Sequence, residues 1–187
     1  GFFYEKGIGV EENFLAAFEC YQQAVDLGNT SSLYNLGHLY EKGLGVEQNY
    51  HKAFECYKKL ADEGNSYALC SLGYLYITSQ GGECDYYKGI KCLNEAANQG
   101  NASAFHNLGV LHQKGIGFKK NRRKAFLAFV KGSLKRNRAA RFALGRCYKI
   151  GLGVYKNIRL SKINYAIANA NTSSYQNLNI FQKILDY

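Results

Sequence analysis

The sequence predicts an all-α solenoid in which antiparallel helix hairpins repeat every 36 residues. Three observations carry this expectation. First, the 187-residue chain matches itself at a shift of 36 residues. Leu-Gly recurs at Leu36-Gly37, Leu72-Gly73, Leu108-Gly109 and Leu144-Gly145, and a Gly-x-Gly turn at Gly7/Gly9, Gly43/Gly45, Gly115/Gly117 and Gly151/Gly153. Gly-Asn recurs at Gly28, Gly64 and Gly100, and the next copy keeps only its Asn, as Arg136-Asn137. Second, the apolar residues between these landmarks follow the helical period. Third, the chain contains no proline, a residue that removes a helix hydrogen bond and clashes with the preceding turn.

Each repeat reads as two helices. Leu36, Leu39 and Tyr40 form one apolar stripe of a first helix, which Gly43 terminates in a left-handed conformation. After the Gly43-Leu44-Gly45-Val46 turn, Ala53, Phe54, Tyr57, Leu60 and Ala61 mark a second helix that Gly64 stops. First helices are expected over 31–42, 67–78, 103–114 and 139–150, and second helices over 13–27, 49–63, 86–99, 121–135 and 157–170. Ser31, Ser66 and Ser103 occupy the expected N-cap positions. Gly37 and its copies lie mid-helix, where glycine costs about 1 kcal/mol relative to alanine. A recurring cost of that size predicts a neighbouring helix in close approach, with Ala17, Ala53 and Ala125 as the facing residues. The stretch 73–89 departs from the pattern: Ser79 replaces the first turn glycine, Asp85 the Asn49-type residue and Gly89 the Ala53-type residue, so an irregular turn is expected there. The hairpins divide the chain as 1–28 (a half hairpin), 29–64, 65–100, 101–136 and 137–172. Residues 173–187 are expected to cap the array or to open a truncated repeat, since Phe181 replaces the mid-helix glycine. Gly1 falls in the Gly37 column, which predicts that the sequence opens inside a first helix, with half a hairpin preceding it.

The string L-G-x-L-Y-x-x-G-x-G-V, followed by K-A and A-x-x-G-N, resembles the Sel-one-like repeat family, a relative of the tetratricopeptide repeat, over nearly the whole chain. The resemblance implies an α/α right-handed superhelix with the first helices lining a concave side. It also implies an adaptor that holds other proteins in an assembly. A cysteine-rich bacterial branch of the family ties its two helices together with disulfides. The equivalent positions, near Ala24/Val25 and Leu33, carry no cysteine here.

No catalytic constellation is present. There is no G-x-S-x-G, no H-E-x-x-H and no C-x-x-C, the four histidines lack metal-ligand spacing, and no cofactor motif occurs. The Gly-x-Gly turns follow no strand and lack a phosphate-loop Lys-Ser/Thr. Cys20, Cys56 and Cys92 share one column, stacked at about the 8–10 Å of packed helices, too far apart for a bond between Cα atoms that must lie within about 7 Å. They are expected to be unbridged and partly buried, with Cys147 in the core and Cys84 exposed in the irregular turn, a pattern that favours a reducing compartment. Sequons at Asn29, Asn101 and Asn171 fall at turns expected to be exposed, and would suit an ER lumen. The same tripeptides also arise from a turn Asn followed by a capping Ser. No apolar run reaches the roughly 18 residues of a membrane span.

The net charge of +10 hides a split. Residues 1–102 carry 7 Lys+Arg and 13 Asp+Glu, whereas residues 103–187 carry 17 Lys+Arg and one acid, Asp186. Between Lys119 and Lys149 stand 12 cations and no acid, including Lys119, Lys120, Arg122, Arg123, Arg136, Arg138, Arg141, Arg146 and Lys149. These are the candidate partner-binding residues. They are expected to form one basic surface across the third and fourth hairpins, facing an acidic partner protein. Arg146 shares a column with His38, Tyr74 and Val110, off the apolar stripe, and that column is expected to face the groove together with His106. The first functional expectation is a protein-binding scaffold. A nucleic-acid-associated solenoid is the alternative, with the basic half resting on phosphate, and contact with an anionic membrane surface is the third. An enzyme is not expected.

Overall fold

The computed structural model describes residues 1–82 and 84–170, and every regular element among them is a helix. The second helices are α2 (Phe14–Asp26), α4 (Tyr50–Asp62), α6 (Tyr86–Asn98), α8 (Arg122–Leu134) and α10 (Ile158–Asn169). The first helices are α1 (Phe2–Lys6), α3 (Ser32–Lys42), α5 (Ser66–Thr78), α7 (Ala102–Lys114) and α9 (Arg138–Ile150). Each expected helix is present, with ends within one residue of the expected ones. The segment 173–187 lies outside the described residues. The chain divides into two compact units, the first spanning Gly1–Ala104 and the second beginning at Phe105. In the first, α3 packs on α4 and α5 on α6; in the second, α9 packs on both α8 and α10.

The caps differ from expectation. Asparagine caps these first helices, not serine. Asn65 Oδ1 accepts from the Tyr67 and Ala68 amides at 3.0 and 3.1 Å, Asn101 Oδ1 from Ser103 and Ala104, and Asn137 Oδ1 from Ala140. Ser66 and Ser103 already lie inside α5 and α7, and Ser31 makes no side-chain cap hydrogen bond. The backbone explains the choice. Gly64 at φ +81° turns the chain so that Asn65 lands extended at φ −67°, ψ 116°, the geometry from which a side-chain oxygen reaches the next amides. The second helices repeat the device, with Asn13, Asn49, Asp85, Asn121 and Asn157 each accepting from the amide three residues on.

One backbone bond closes every hairpin. Asn13 N donates to the Tyr4 carbonyl, Asn49 to Tyr40, Asp85 to Tyr76, Asn121 to His112 and Asn157 to Tyr148, all at 2.8–3.0 Å. The irregular third turn therefore ends on the same bond as its neighbours, although Ser79 takes the left-handed cap position at φ +55°. The turns also nest on one another. A Cβ at Gly45 would collide with the Phe14 carbonyl, and one at Gly153 with the Arg122 carbonyl, so within each unit backbone packs on backbone between successive hairpins.

The mid-helix glycines mark close approach, though against a different partner from the one expected. A Cβ at Gly37 would sit 2.9 Å from the Tyr57 ring, one at Gly109 2.5 Å from Phe129, one at Gly145 3.0 Å from Tyr165, and one at Gly73 2.9 Å from Leu93 and from the Gly89 carbonyl. Gly1 lies beneath Tyr21 in the same way. The opposing column is thus Tyr21, Tyr57, Leu93, Phe129 and Tyr165, four residues beyond the alanines. Ala17, Ala53 and Ala125 are fully buried but are not what the glycines accommodate. In the second unit, Phe129 joins Ala125, Leu144, Cys147 and Leu152 in one apolar cluster.

Two stability outcomes follow from this packing. Gly109→Ala gains about 1 kcal/mol of helix propensity but drives a methyl into a Phe129 ring that is 1% exposed and cannot yield. A net loss of about 1–3 kcal/mol is expected, read as a lowered urea midpoint, and an unchanged midpoint would refute the close-approach account. Arg136, at φ +63°, stands where three other hairpins place glycine. Arg136→Gly should raise the midpoint, by about 0.5–1 kcal/mol, because a left-handed side-chain-bearing residue is strained.

Candidate functional site

In the first unit, α3 and α5 present an aromatic surface. The Tyr34 ring packs 5.6 Å from Tyr57 and 6.1 Å from Tyr67, while Tyr67 and Tyr74 stay largely exposed. His38, in the column of Tyr74, is half-buried. The Tyr57 hydroxyl donates to Glu41 Oε2 at 2.9 Å, as Tyr21 does to Glu5 at 2.8 Å. Burial and the neighbouring carboxylate push the Tyr57 phenol well above its ordinary pKa, so it remains a donor.

The second unit contains a cleft of about 330 Å³ between α7 and α9. Phe129, Phe142 and Tyr165 supply aromatic walls, and His106, Gln113 and Arg146 supply the polar groups. The His106 ring lies 5.8 Å from Phe129. Its Nδ1 is buried and finds no hydrogen-bond partner among the described residues. Desolvation holds its pKa below the ordinary histidine value. Val110 and Arg146, which share the column of His38 and Tyr74, both line this cleft.

The candidate cations are not all at the surface. Lys119 and Lys120 lie in the α7–α8 turn and Arg122 and Arg123 in the first turn of α8, all exposed. Arg136 and Arg138 are exposed at the other end of α8, roughly 20 Å away for a 13-residue helix. Arg138 sits over the Phe142 ring at 5.7 Å. Lys149 is exposed at the end of α9. Arg141 departs from expectation altogether: it is 6% exposed, and its Nη2 donates to the Ser133 carbonyl at 2.7 Å. It occupies the Leu33, Leu69 and Phe105 column, and Ser133 that of Ala61 and Ala97. A buried charge needs hydrogen bonds to offset its desolvation, so Arg141 belongs to the core and not to a docking surface.

The profile of the Sel1 repeat matches residues 1–29, 30–65, 66–101, 102–127 and 138–171. The chain is a Sel1-repeat protein. Its fold is similar to that of a Sel1 repeat protein from Oxalobacter formigenes, with a TM-score of 0.76 and 29% identity, covering 89% of this chain and 66% of that one. It is also similar to c5321, a protective antigen of uropathogenic Escherichia coli with an SLR fold, with a TM-score of 0.72 and 24% identity, covering 89% of this chain and 36% of that one. The Sel1-repeat chain therefore spans just under two thirds of the length of the first protein and about a third of the second. None of the functionally curated proteins matches it. Sel1-repeat proteins generally mediate protein–protein interaction and are generally non-catalytic.

In this Sel1-repeat protein, no group of three or more His, Cys, Asp or Glu among the described residues is placed to hold a metal ion, and no helix among them is long and apolar enough to cross a membrane. Cys20, Cys56 and Cys92 are half-buried free thiols, Cys147 is buried and Cys84 exposed. Burial raises the Cys56 and Cys147 pKa values to about 11, which keeps them protonated and inert. Of the sequons, Asn29 is exposed, but Asn101 is 7% exposed and gives Nδ2 to the Ser66 carbonyl at 3.0 Å. Asn101 is therefore not the exposed acceptor expected from the sequence; Asn171 lies outside the described residues. The sequence reading also missed Gln113, Phe142 and Tyr165 in the cleft. The 36-residue columns hold the signal, since Phe142 shares a column with His106 and Tyr165 with Phe129.

The lowered His106 pKa has a pH consequence. The unfolded chain takes up the proton first as pH falls, so stability contributed by neutral His106 is fully present above the unfolded value of about 6.5 and declines as pH drops through the folded one. His106→Phe should flatten the acid limb of stability below the unfolded value of about 6.5, measured by urea midpoints. An unaltered limb would show that the ring is solvated.

Proposed function

We propose that this chain is a scaffold whose second unit seats an acidic segment of a partner protein in the cleft between α7 and α9. The observation that carries the reading is the cleft itself: aromatic walls from Phe129, Phe142 and Tyr165, with Arg146 exposed among them. An aromatic or aliphatic anchor of the partner would bury against the rings, the usual source of interface energy. A carboxylate beside it would meet Arg146, and Gln113 would supply a second polar contact. Complementarity is one-sided, because Asp186 is the only acid after Ala102. A partner carrying negative charge is therefore steered to this unit, and a basic one repelled. The aromatic surface of Tyr34, Tyr67 and Tyr74 offers the first unit a contact with less charge bias.

Binding of fluorescent peptides, acidic or basic and with or without an aromatic residue, tests the reading directly. The acidic aromatic peptide should bind best, and Arg146→Glu should weaken it at least about tenfold. Lys119→Glu, exposed in the α7–α8 turn and outside the cleft lining, should leave binding nearly unchanged. Retention of single-stranded RNA with no discrimination among peptides would replace this reading with the nucleic-acid one.

A further inference from the structure

The turns within the hairpins of the second unit form a basic edge that the cleft does not use. Lys119 and Lys120 stand in one turn, and Arg122, Arg123 and Lys124 open α8 beside it. One repeat later, Lys156 and Arg159 occupy the columns of Lys120 and Arg123. All seven are exposed. The two turns are locked together, since Gly153 lies against the Arg122 carbonyl and Leu152 is buried in the Ala125–Phe129 cluster. Apolar side chains stand out among the cations. Tyr155 is 96% exposed, Ile150 57% and Ile158 46%.

Local stability explains none of this. Cations at the starts of α8 and α10 oppose the helix dipoles, and crowded like charges repel. The four ion pairs among the described residues all lie in the first unit, and the described residues of the second unit include no Asp or Glu that could relieve the edge. Nor does water favour an almost fully exposed tyrosine with two exposed isoleucines in the same segment.

We propose that this edge docks on an anionic lipid membrane surface. Clusters of four to eight cations are the size that binds acidic headgroups. A bilayer also has a place for the apolar residues, because tyrosine settles at headgroup level while lysine and arginine keep their charges in the polar layer. A nucleic-acid backbone would use the cations but gain nothing from Ile150 and Ile158. None of the seven cations, nor Tyr155, lines the cleft, so docking through this edge leaves the cleft free to hold a partner.

Co-sedimentation of the intact chain with phosphatidylcholine vesicles, with and without phosphatidylserine, tests the proposal. Binding should need the acidic lipid and weaken steeply with salt. The quadruple variant Lys119→Ala, Lys120→Ala, Arg122→Ala, Arg123→Ala should lose at least about tenfold in partitioning. Tyr155→Ser, which removes only an exposed ring, should lose several-fold without changing the salt dependence. Arg136→Ala with Arg138→Ala, at the opposite end of α8, should behave like the parent. The proposal is overturned if acidic vesicles fail to bind the parent at low salt, if the Arg136/Arg138 variant loses as much as the edge variant, or if Tyr155→Ser is silent while RNA competes the vesicles away. Acidic-peptide binding measured in the same variants separates this edge from the cleft, since the edge variants should leave it intact.

Discussion

The contact on which the structure depends is a mid-helix glycine lying beneath the side chain twenty residues on. Gly1 under Tyr21, Gly37 under Tyr57, Gly73 under Leu93, Gly109 under Phe129 and Gly145 under Tyr165 set how near each first helix comes to its second. Once that distance is fixed, the remaining geometry has little freedom. The residue four before each ring must be small, and it is alanine at 17, 53 and 125, glycine at 89 and serine at 161. The turn must then close within a fixed span, so a single backbone bond from the cap residue to the end of the first helix recurs in all five hairpins. Glycine sacrifices helix propensity, and burial of a ring against bare backbone more than offsets it.

Because that contact occupies one face of each helix, variation is confined to the others, and there the chemistry changes from repeat to repeat. The column Glu5, Glu41, Ile77, Gln113, Lys149 runs from acid to base beside the glycine–ring contact. Where it is glutamate, the opposing residue is a tyrosine whose hydroxyl it accepts. Where it is Ile77, the opposing residue is Leu93, and a Cβ at Gly89 would touch Ile77 itself. The turn columns show the same drift, from Glu11, Glu12 and Glu47 to Lys119, Lys120 and Lys156. The charge split is thus laid onto invariant backbone positions and costs the fold little, since most of these side chains are in water.

The helices were legible in the sequence because their determinants are local: landmark spacing, apolar period and stop signals. The caps were misassigned to serine for a local reason too. An Asn just after the glycine and a Ser one or two residues further on offer two capping side chains, and the backbone angle after the left-handed glycine decides between them. Arg141 was misplaced because a charged side chain was assigned to the surface by type, although its column, shared with Leu33, Leu69 and Phe105, marked a buried position. The basic stretch Lys119–Lys149 was read as one patch because it is continuous in sequence. A helix separates its ends in space, while the 36-residue columns align Lys120 and Arg123 with Lys156 and Arg159, one repeat away.

That last point bears on how a solenoid acquires binding surfaces. In a repeat array, proximity follows columns, with residues 36 apart being neighbours and residues 12 apart along α8 lying at opposite ends. A surface is therefore built by placing the same kind of side chain in one column of successive repeats, and different columns can evolve different surfaces independently. In the second unit, the first-helix columns His106/Phe142 and Val110/Arg146 make the cleft, while the turn columns Lys120/Lys156 and Arg123/Arg159 make the edge. Substitutions in one set are not in contact with the other, so their energetic effects should be nearly additive. A scaffold that must hold one partner while resting on another surface needs that independence, and repeated columns supply it without altering the core.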